Sequence, residues 1–212
     1  MVRRLALALV LAAAVLSILW SALAAPRVLP RLRLAPGFGL MDATGRPVSS
    51  DALRGRTVLV TFGPVRCDER CQGWSRAVAT AIPSRISGEA VQLVWIAAEP
   101  ASPEELARLQ ATLPPAPLPW RVLGSRDDRQ IELVLSGFRV PRHSDGTASA
   151  VDPVLVVVDP TGIVRAEYRV APPGSVLDGD LAALEREIRD SRGLRRYLYE
   201  AAHLFSCNVG GA

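Results

Sequence analysis

The sequence predicts an α/β fold, a central mixed sheet flanked by helices, preceded by one N-terminal transmembrane or signal segment. Three observations predict it. The runs TVLVTF (57–62), VQLVWIAA (91–98) and VLVVV (154–158) have the length and β-branched apolar content of strands buried on both faces. Stretches of helical periodicity with recognisable starts and stops separate them. The run from Leu5 to Ala25 carries no charge over 21 residues, enough to cross a bilayer at about 20 residues.

That first segment reads in two ways. Arg3 and Arg4 followed by an apolar stretch suit a membrane anchor. The same residues with Ala22-Leu23-Ala24 suit a signal peptide and its cleavage site. Both export the rest of the chain. Arg27, Arg31 and Arg33 follow closely, so the charge count does not orient the segment. Pro26, Pro30 and Pro36 exclude a helix after it and predict an extended linker. The expected organisation is an N-terminal segment over 1–25, a linker over 26–37, a folded domain over 38–192 and a helical tail over 193–212.

Within the domain, Phe38 to Met41 is predicted as a short strand before an Asp42-Ala43-Thr44-Gly45 turn. Thr57 to Phe62 is a buried strand ended by Gly63-Pro64. Cys71 to Ile82 has apolar residues at 74, 78, 81 and 82 and is stopped by Pro83, so a helix is predicted there. After the Val91–Ala98 strand, Ser102-Pro103-Glu104-Glu105 is a capping box with proline at N1. Four prolines between 114 and 119 form a stiff loop. Arg126 to Leu135 is expected to be helical, and Arg142 to Ala150 a polar loop. The Val154–Val158 and Ile163–Val170 strands are joined by an Asp-Pro-Thr-Gly turn. Asp178 or Asp180 is expected to cap a C-terminal helix interrupted at Gly193.

Composition narrows the function. Hydrophobic content of 49% and 17 prolines indicate a packed core with punctuated loops. All 25 basic residues are arginine, which excludes Schiff-base lysines and lysine-dependent phosphate loops. These arginines are interspersed with 21 acidic residues, so the net charge of +4 does not indicate nucleic-acid binding. Three cysteines are too few for a disulfide scaffold, and the close pair Cys67/Cys71 points to redox or metal chemistry.

Cys67-Asp68-Glu69-Arg70-Cys71 puts two thiols at i and i+4 near a helix start. They can close a disulfide or hold one soft metal ion. A helix N-terminus favours a thiolate by only about 0.3–1 kcal/mol. Arg66 and Arg70 favour ionisation while Asp68 and Glu69 oppose it, so moderate activation is expected. Cys67 is expected to be the exposed, attacking sulfur and Cys71 the resolving one. A purely structural bridge is the bland alternative; so small a loop gives it little stabilising leverage.

The segments GFGLMDATGRPVSSDALRGRTVLVTFGPVRCDERC, AAEPASPEELARL, WRVLGSRDDRQIELVLSGFRV and VLVVVDPTGIVRAEY together resemble the Sco/SenC family over about Phe38 to Leu184. The resemblance implies a thioredoxin-like fold, a membrane anchor, and an extracytoplasmic, periplasm-facing domain on a bacterial inner membrane, or a soluble periplasmic one after cleavage. It implies a CxxxC dithiol that binds copper and/or reduces cysteines during assembly of the Cu-A site of cytochrome c oxidase. Partners would then be the oxidase subunit carrying that site and other periplasmic copper or thiol-redox proteins.

Two departures stand out. The family's third copper ligand, a histidine, would fall near Val151, and Gln72 stands where a proline usually follows the second cysteine. His143 is the candidate third ligand in the metal set Cys67, Cys71, His143, with a solvated loop histidine as the alternative. Val151-Asp152-Pro153 resembles instead the proline of TlpA/ResA-type thiol–disulfide oxidoreductases, cis in those proteins, which would make Pro153 part of a copper-free catalytic site with Cys67 and Cys71. The alternative is a strand-initiating proline. Glu99, at a strand end, is a candidate proton acceptor or a surface carboxylate. Trp74 is expected to be core packing. His203 and Cys207 form a further i, i+4 pair, read as a weak metal site or as ordinary helix residues.

Overall fold

The computed structural model describes residues 27–144, 149–191, 193 and 195–206, with 3, 4, 10–13 and 15. The rest of the Leu5–Ala25 segment and Cys207 lie outside the described residues. Among the described residues no helix is long and apolar enough to cross a membrane. The chain divides into two units, Pro30–Ala182, and Met1–Leu29 with Ala183–Ala212.

The apolar runs form the centre of the larger unit because only a strand paired on both edges satisfies its backbone while burying both faces. Strand β4 (Thr57–Gly63) is buried throughout, as is β9 (Leu155–Val158). Strands β5 (Val91–Ala97) and β6 (Trp120–Gly124) run parallel to β4, with Thr61 opposite Trp95 and Trp95 opposite Val122. On the other side, β9 and then β10 (Ile163–Tyr168) pair antiparallel. The edges are β1 (Arg33–Leu34) beside β10, and the β2–β3 hairpin (Gly39–Asp42, Pro47–Ser49) beside β6. Among the described residues the order is β1-β10-β9-β4-β5-β6-β2-β3.

Strand alternation sorts the core. Val58, Val60, Phe62, Val94, Ile96 and Val156 face helix α3 (Asp128–Gly137), which inserts Ile131, Val134 and Leu135. Phe62 meets Phe138 at 5.2 Å between ring centres. Helices α1 (Glu69–Ala81) and α2 (Pro103–Thr112) cover the opposite face. There the Trp74 indole bonds Thr61, and Leu106 lies over Gly124. Trp95 and Trp120 stack edge to face at 6.0 Å. The mixed sheet with helices on both faces is the thioredoxin-like arrangement.

Local signals set several boundaries. Ser102 and Glu105 exchange the two bonds of the capping box that starts α2. The Asp159 turn places Gly162 at φ +88°, where a side chain is strained. Helix α4 (Gly174–Asp190) begins four residues before the expected Asp178 cap. The Pro173 carbonyl accepts from Val176 and Leu177, so the Pro-Pro turn starts the helix. Asp178 instead accepts from Arg85 Nε at 2.6 Å and Asp180 from the Tyr168 hydroxyl.

The stretch expected to be a polar loop forms a second ribbon of β7 (Arg142–Ser144) and β8 (Ser149–Val151). In the smaller unit, helix α5 (Arg195–Ser206) presents His203, whose Nε2 lies 2.8 Å from Glu187 Oε1, both buried. His203 therefore has a carboxylate partner on α4.

Candidate thiol site

Strand β4 delivers the chain to the site at its C-terminal end, where open α/β sheets place their chemistry. Gly63 ends the strand without a side chain because Trp95 occupies that space. A Cβ there would stand 2.1 Å from Trp95 Cζ2. The chain then turns through Pro64, Val65 and Arg66. The Val65 N–H donates to Glu99 Oε1 at 2.8 Å. Glu99, two residues beyond β5, is thus a clamp on the loop leading to the cysteines.

Asp68 is the N-cap of α1, its carboxylate accepting from the Cys71 N–H at 2.8 Å. This fixes Cys71 at the third helical position and leaves Cys67 just outside the helix. The two are joined as a disulfide with Cα atoms 5.2 Å apart. Cys71 is 7% exposed, whereas Cys67 is half-buried. Cys67 is therefore the more exposed of the two, as the sequence predicts.

Beside Cys71 lies a cavity of about 180 Å³ walled by Phe62, Trp74, Trp95, Val151 and Pro153, with Arg66, Asp68 and Arg70 at its charged side. Trp74 is more than core packing. Its indole N–H donates to Thr61 Oγ1 at 2.8 Å, and the Thr61 hydroxyl donates to the Val154 carbonyl at 2.9 Å. This buried chain ties the cysteine helix to the residue after Pro153. Trp95 is fully buried, yet its indole N–H has no acceptor among the described residues.

Pro153 is in the wall, as expected, but its peptide bond is trans: no cis bond occurs among the described residues. The trans bond departs from the cis proline of TlpA/ResA-type proteins, and Pro153 stands two residues before β9 starts at Leu155. Val151 is 9% exposed and forms part of the same wall. His143 is not in it. It stands on β7 opposite Ala150, 59% exposed at its side chain, with Nε2 3.5 Å from Asp152 Oδ2. Its neighbour Arg142 pairs with Asp128 at 2.5 Å and Glu132 at 3.2 Å, fastening the ribbon to α3. The Asp128 carboxyl is held below its usual range chiefly by that Arg142 hydrogen bond. Among the described residues, no three His, Cys, Asp or Glu side chains gather as a metal-holding group.

The arrangement can support two-electron chemistry, because a half-buried cysteine is joined to a buried one. Two sulfur donors also suit soft Cu(I). Sequence reasoning missed the roles of Thr61 and Trp74, whose signal was only a threonine in an apolar strand, and that of Gly63, read as a strand terminator.

Residues 28–154 match the family model SCO1/SenC. The fold is shared with ScoI of Arabidopsis thaliana, solved with copper bound, at 20% identity and TM-score 0.60 over 72% of this chain and 99% of that one. BsSco is a member of the Sco family of cytochrome c oxidase assembly proteins whose structure concerns a disulfide switch. It matches at 20% identity and TM-score 0.62 over 75% of this chain and 98% of that one. Yeast Sco1 gives 18%, 0.55, 70% and 98%. No curated protein matches the sequence.

Proposed function

The chain belongs to the SCO1/SenC family, and on that premise we propose that it serves cytochrome c oxidase assembly, its Cys67/Cys71 dithiol binding copper and/or reducing cysteines of the Cu-A site. The observation that carries the reading is the graded exposure of a joined cysteine pair at the mouth of a cavity. In the reduced protein the Cys67 thiolate attacks a partner disulfide, forming a mixed disulfide and releasing one partner thiolate. The Cys71 thiolate then attacks the Cys67 sulfur, releasing the second. Two electrons pass to the partner and the Cys67–Cys71 disulfide forms. Copper would be cargo, held by the same two sulfurs.

The domain works outside the cytoplasm, facing the periplasm from a bacterial inner membrane. The uncharged Leu5–Ala25 run supports that placement, as an anchor or a cleaved signal. A second reading, a TlpA/ResA-like oxidoreductase without copper, is favoured by one observation: Val151 and Pro153, not a histidine, wall the cavity beside Cys71.

The test is a Cys71→Ser variant incubated with an oxidised peptide carrying the paired cysteines of an oxidase Cu-A site. A mixed disulfide through Cys67 is expected, absent in the Cys67→Ser/Cys71→Ser double variant. No adduct with any such peptide removes the reductase role. Copper binding is read separately on the reduced chain.

A further inference from the structure

We propose that this dithiol holds copper only as Cu(I), between the two sulfurs, and reduces Cu(II) instead of retaining it. The proposal rests on the copper half of the reading above. It follows from which side chains the β7–β8 ribbon turns toward the cysteines. Facing residues of an antiparallel pair share one side of a ribbon, and successive residues alternate sides. Arg142 faces Val151, and His143 faces Ala150. Val151 projects into the wall beside Cys71, so the ribbon's parity puts His143 on its other side. A one-residue slip in register would exchange them, but Arg142 pins the register through Asp128 and Glu132.

Among the described residues, the donor set beside Cys71 is then two thiols in a wall of apolar side chains with Arg66, Asp68 and Arg70 at its charged side. The one carboxylate in that wall, Asp68, already accepts from the Cys71 N–H as the helix cap. Thiolates select Cu(I), whereas Cu(II) prefers a tetragonal set of nitrogen and oxygen donors. Charge favours the same state. A Cu(I) ion between two thiolates carries one net negative charge and the Cu(II) counterpart none, and the cavity lining sets Arg66 and Arg70 against the single carboxylate of Asp68. Cu(II) presented to the reduced pair is consumed: two Cu(II) ions each accept one electron, the thiols release two protons, and the Cys67–Cys71 bond forms.

The experiment uses the full-length chain, purified in detergent and reduced anaerobically. Cu(I) is titrated against a chromophoric Cu(I) chelator, and Cu(II) is followed by electron paramagnetic resonance with a parallel thiol count. One Cu(I) per chain is expected, lost in Cys67→Ser and in Cys71→Ser and unchanged in His143→Ala. With Cu(II), the paramagnetic signal is expected to disappear for two ions per chain as Cys67 and Cys71, two of the chain's three thiols, are consumed. A lasting Cu(II) spectrum at one ion per chain, abolished by His143→Ala, overturns the proposal while leaving copper binding intact. No Cu(I) binding overturns the proposal and the copper reading together, leaving the reductase reading to its own peptide test. Val151→His, which sets an imidazole in the wall beside Cys71, is expected to make the protein retain Cu(II); a folded variant that does not counts against the donor-set explanation.

Discussion

The two ends of β9 are built in opposite ways. At its C-terminal end Asp159 is 5% exposed and wholly engaged. Its Oδ1 accepts from the Thr161 N–H and hydroxyl and the Ile163 N–H, and its Oδ2 from Arg165 Nη1 at 2.9 Å. At the N-terminal end the Val154 carbonyl accepts from Thr61, but the nearby Trp95 N–H is buried without an acceptor and a cavity opens beside Cys71. One end is a polar network built around a fully bonded carboxylate that holds the fold. The other keeps polar capacity and space unfilled beside a reactive bond. A buried charge is tolerable only when paired, so the first end has no freedom to do chemistry; the second has that freedom because its core contacts are left incomplete.

The largest stability effect is therefore expected away from the thiols. Asp159→Asn removes the carboxylate that pairs with the buried Arg165 at 2.9 Å and is expected to cost up to about 3–5 kcal/mol, read as a lower denaturation midpoint, with mixed-disulfide formation through Cys67 unchanged in the folded fraction. A loss of exchange with stability retained would break the division between the two ends.

The same residue sets an acid limit. Burial works against the Asp159 carboxylate, but hydrogen bonds from Thr161, Ile163 and Arg165 outweigh it and hold its pKa below the usual value. Its contribution is present above the unfolded pKa of about 3.9 and is lost as pH falls through the lower folded value. Urea midpoints measured below about pH 4 are expected to fall more steeply for the parent than for Asp159→Asn; parallel curves would remove Asp159 as the source.

At the thiol end, Gly63→Ala drives a methyl into the fully buried Trp95 ring and is expected to cost about 1–3 kcal/mol. Unlike Asp159→Asn, it should also alter the rate at which Cys67 reacts with an alkylating probe, because the loop to Cys67 starts there. Smallest is Trp74→Phe, which removes the bond to Thr61 at a cost of about 1 kcal/mol. It is expected to change the reduction potential of the cysteine pair, whereas loss of the Ser102 cap on α2 in Ser102→Ala, of similar cost at about 1 kcal/mol, should not.

Much of this architecture was legible because its causes are local. β-Branched runs became β4, β5 and β9; Ser102 and Glu105, three apart, started α2; the cysteines read as lying near a helix start with Cys67 the more exposed, whereas the Asp68 cap, two residues before the expected start, was not read. The Asp178 cap was misread because Pro173, a few residues earlier, already supplies the first carbonyl acceptor. The β7–β8 ribbon was missed because its polar residues carry no alternating apolar signal.

By itself, then, the amino-acid sequence determined the sheet's central strands, the helices with strong caps, and the placing of Cys67 and Cys71 at the end of a buried strand. All of these depend on side-chain periodicity or on bonds spanning a few residues. Only the tertiary structure decided that Val151 and not His143 lines the cavity beside Cys71, that Thr61, bonded to Trp74, reaches Val154 across 93 residues, and that Glu99 clamps Val65 across 34. Those outcomes hang on ribbon register and long-range packing, where a shift of one residue reverses which side chain points inward, and no window of neighbouring residues contains that information.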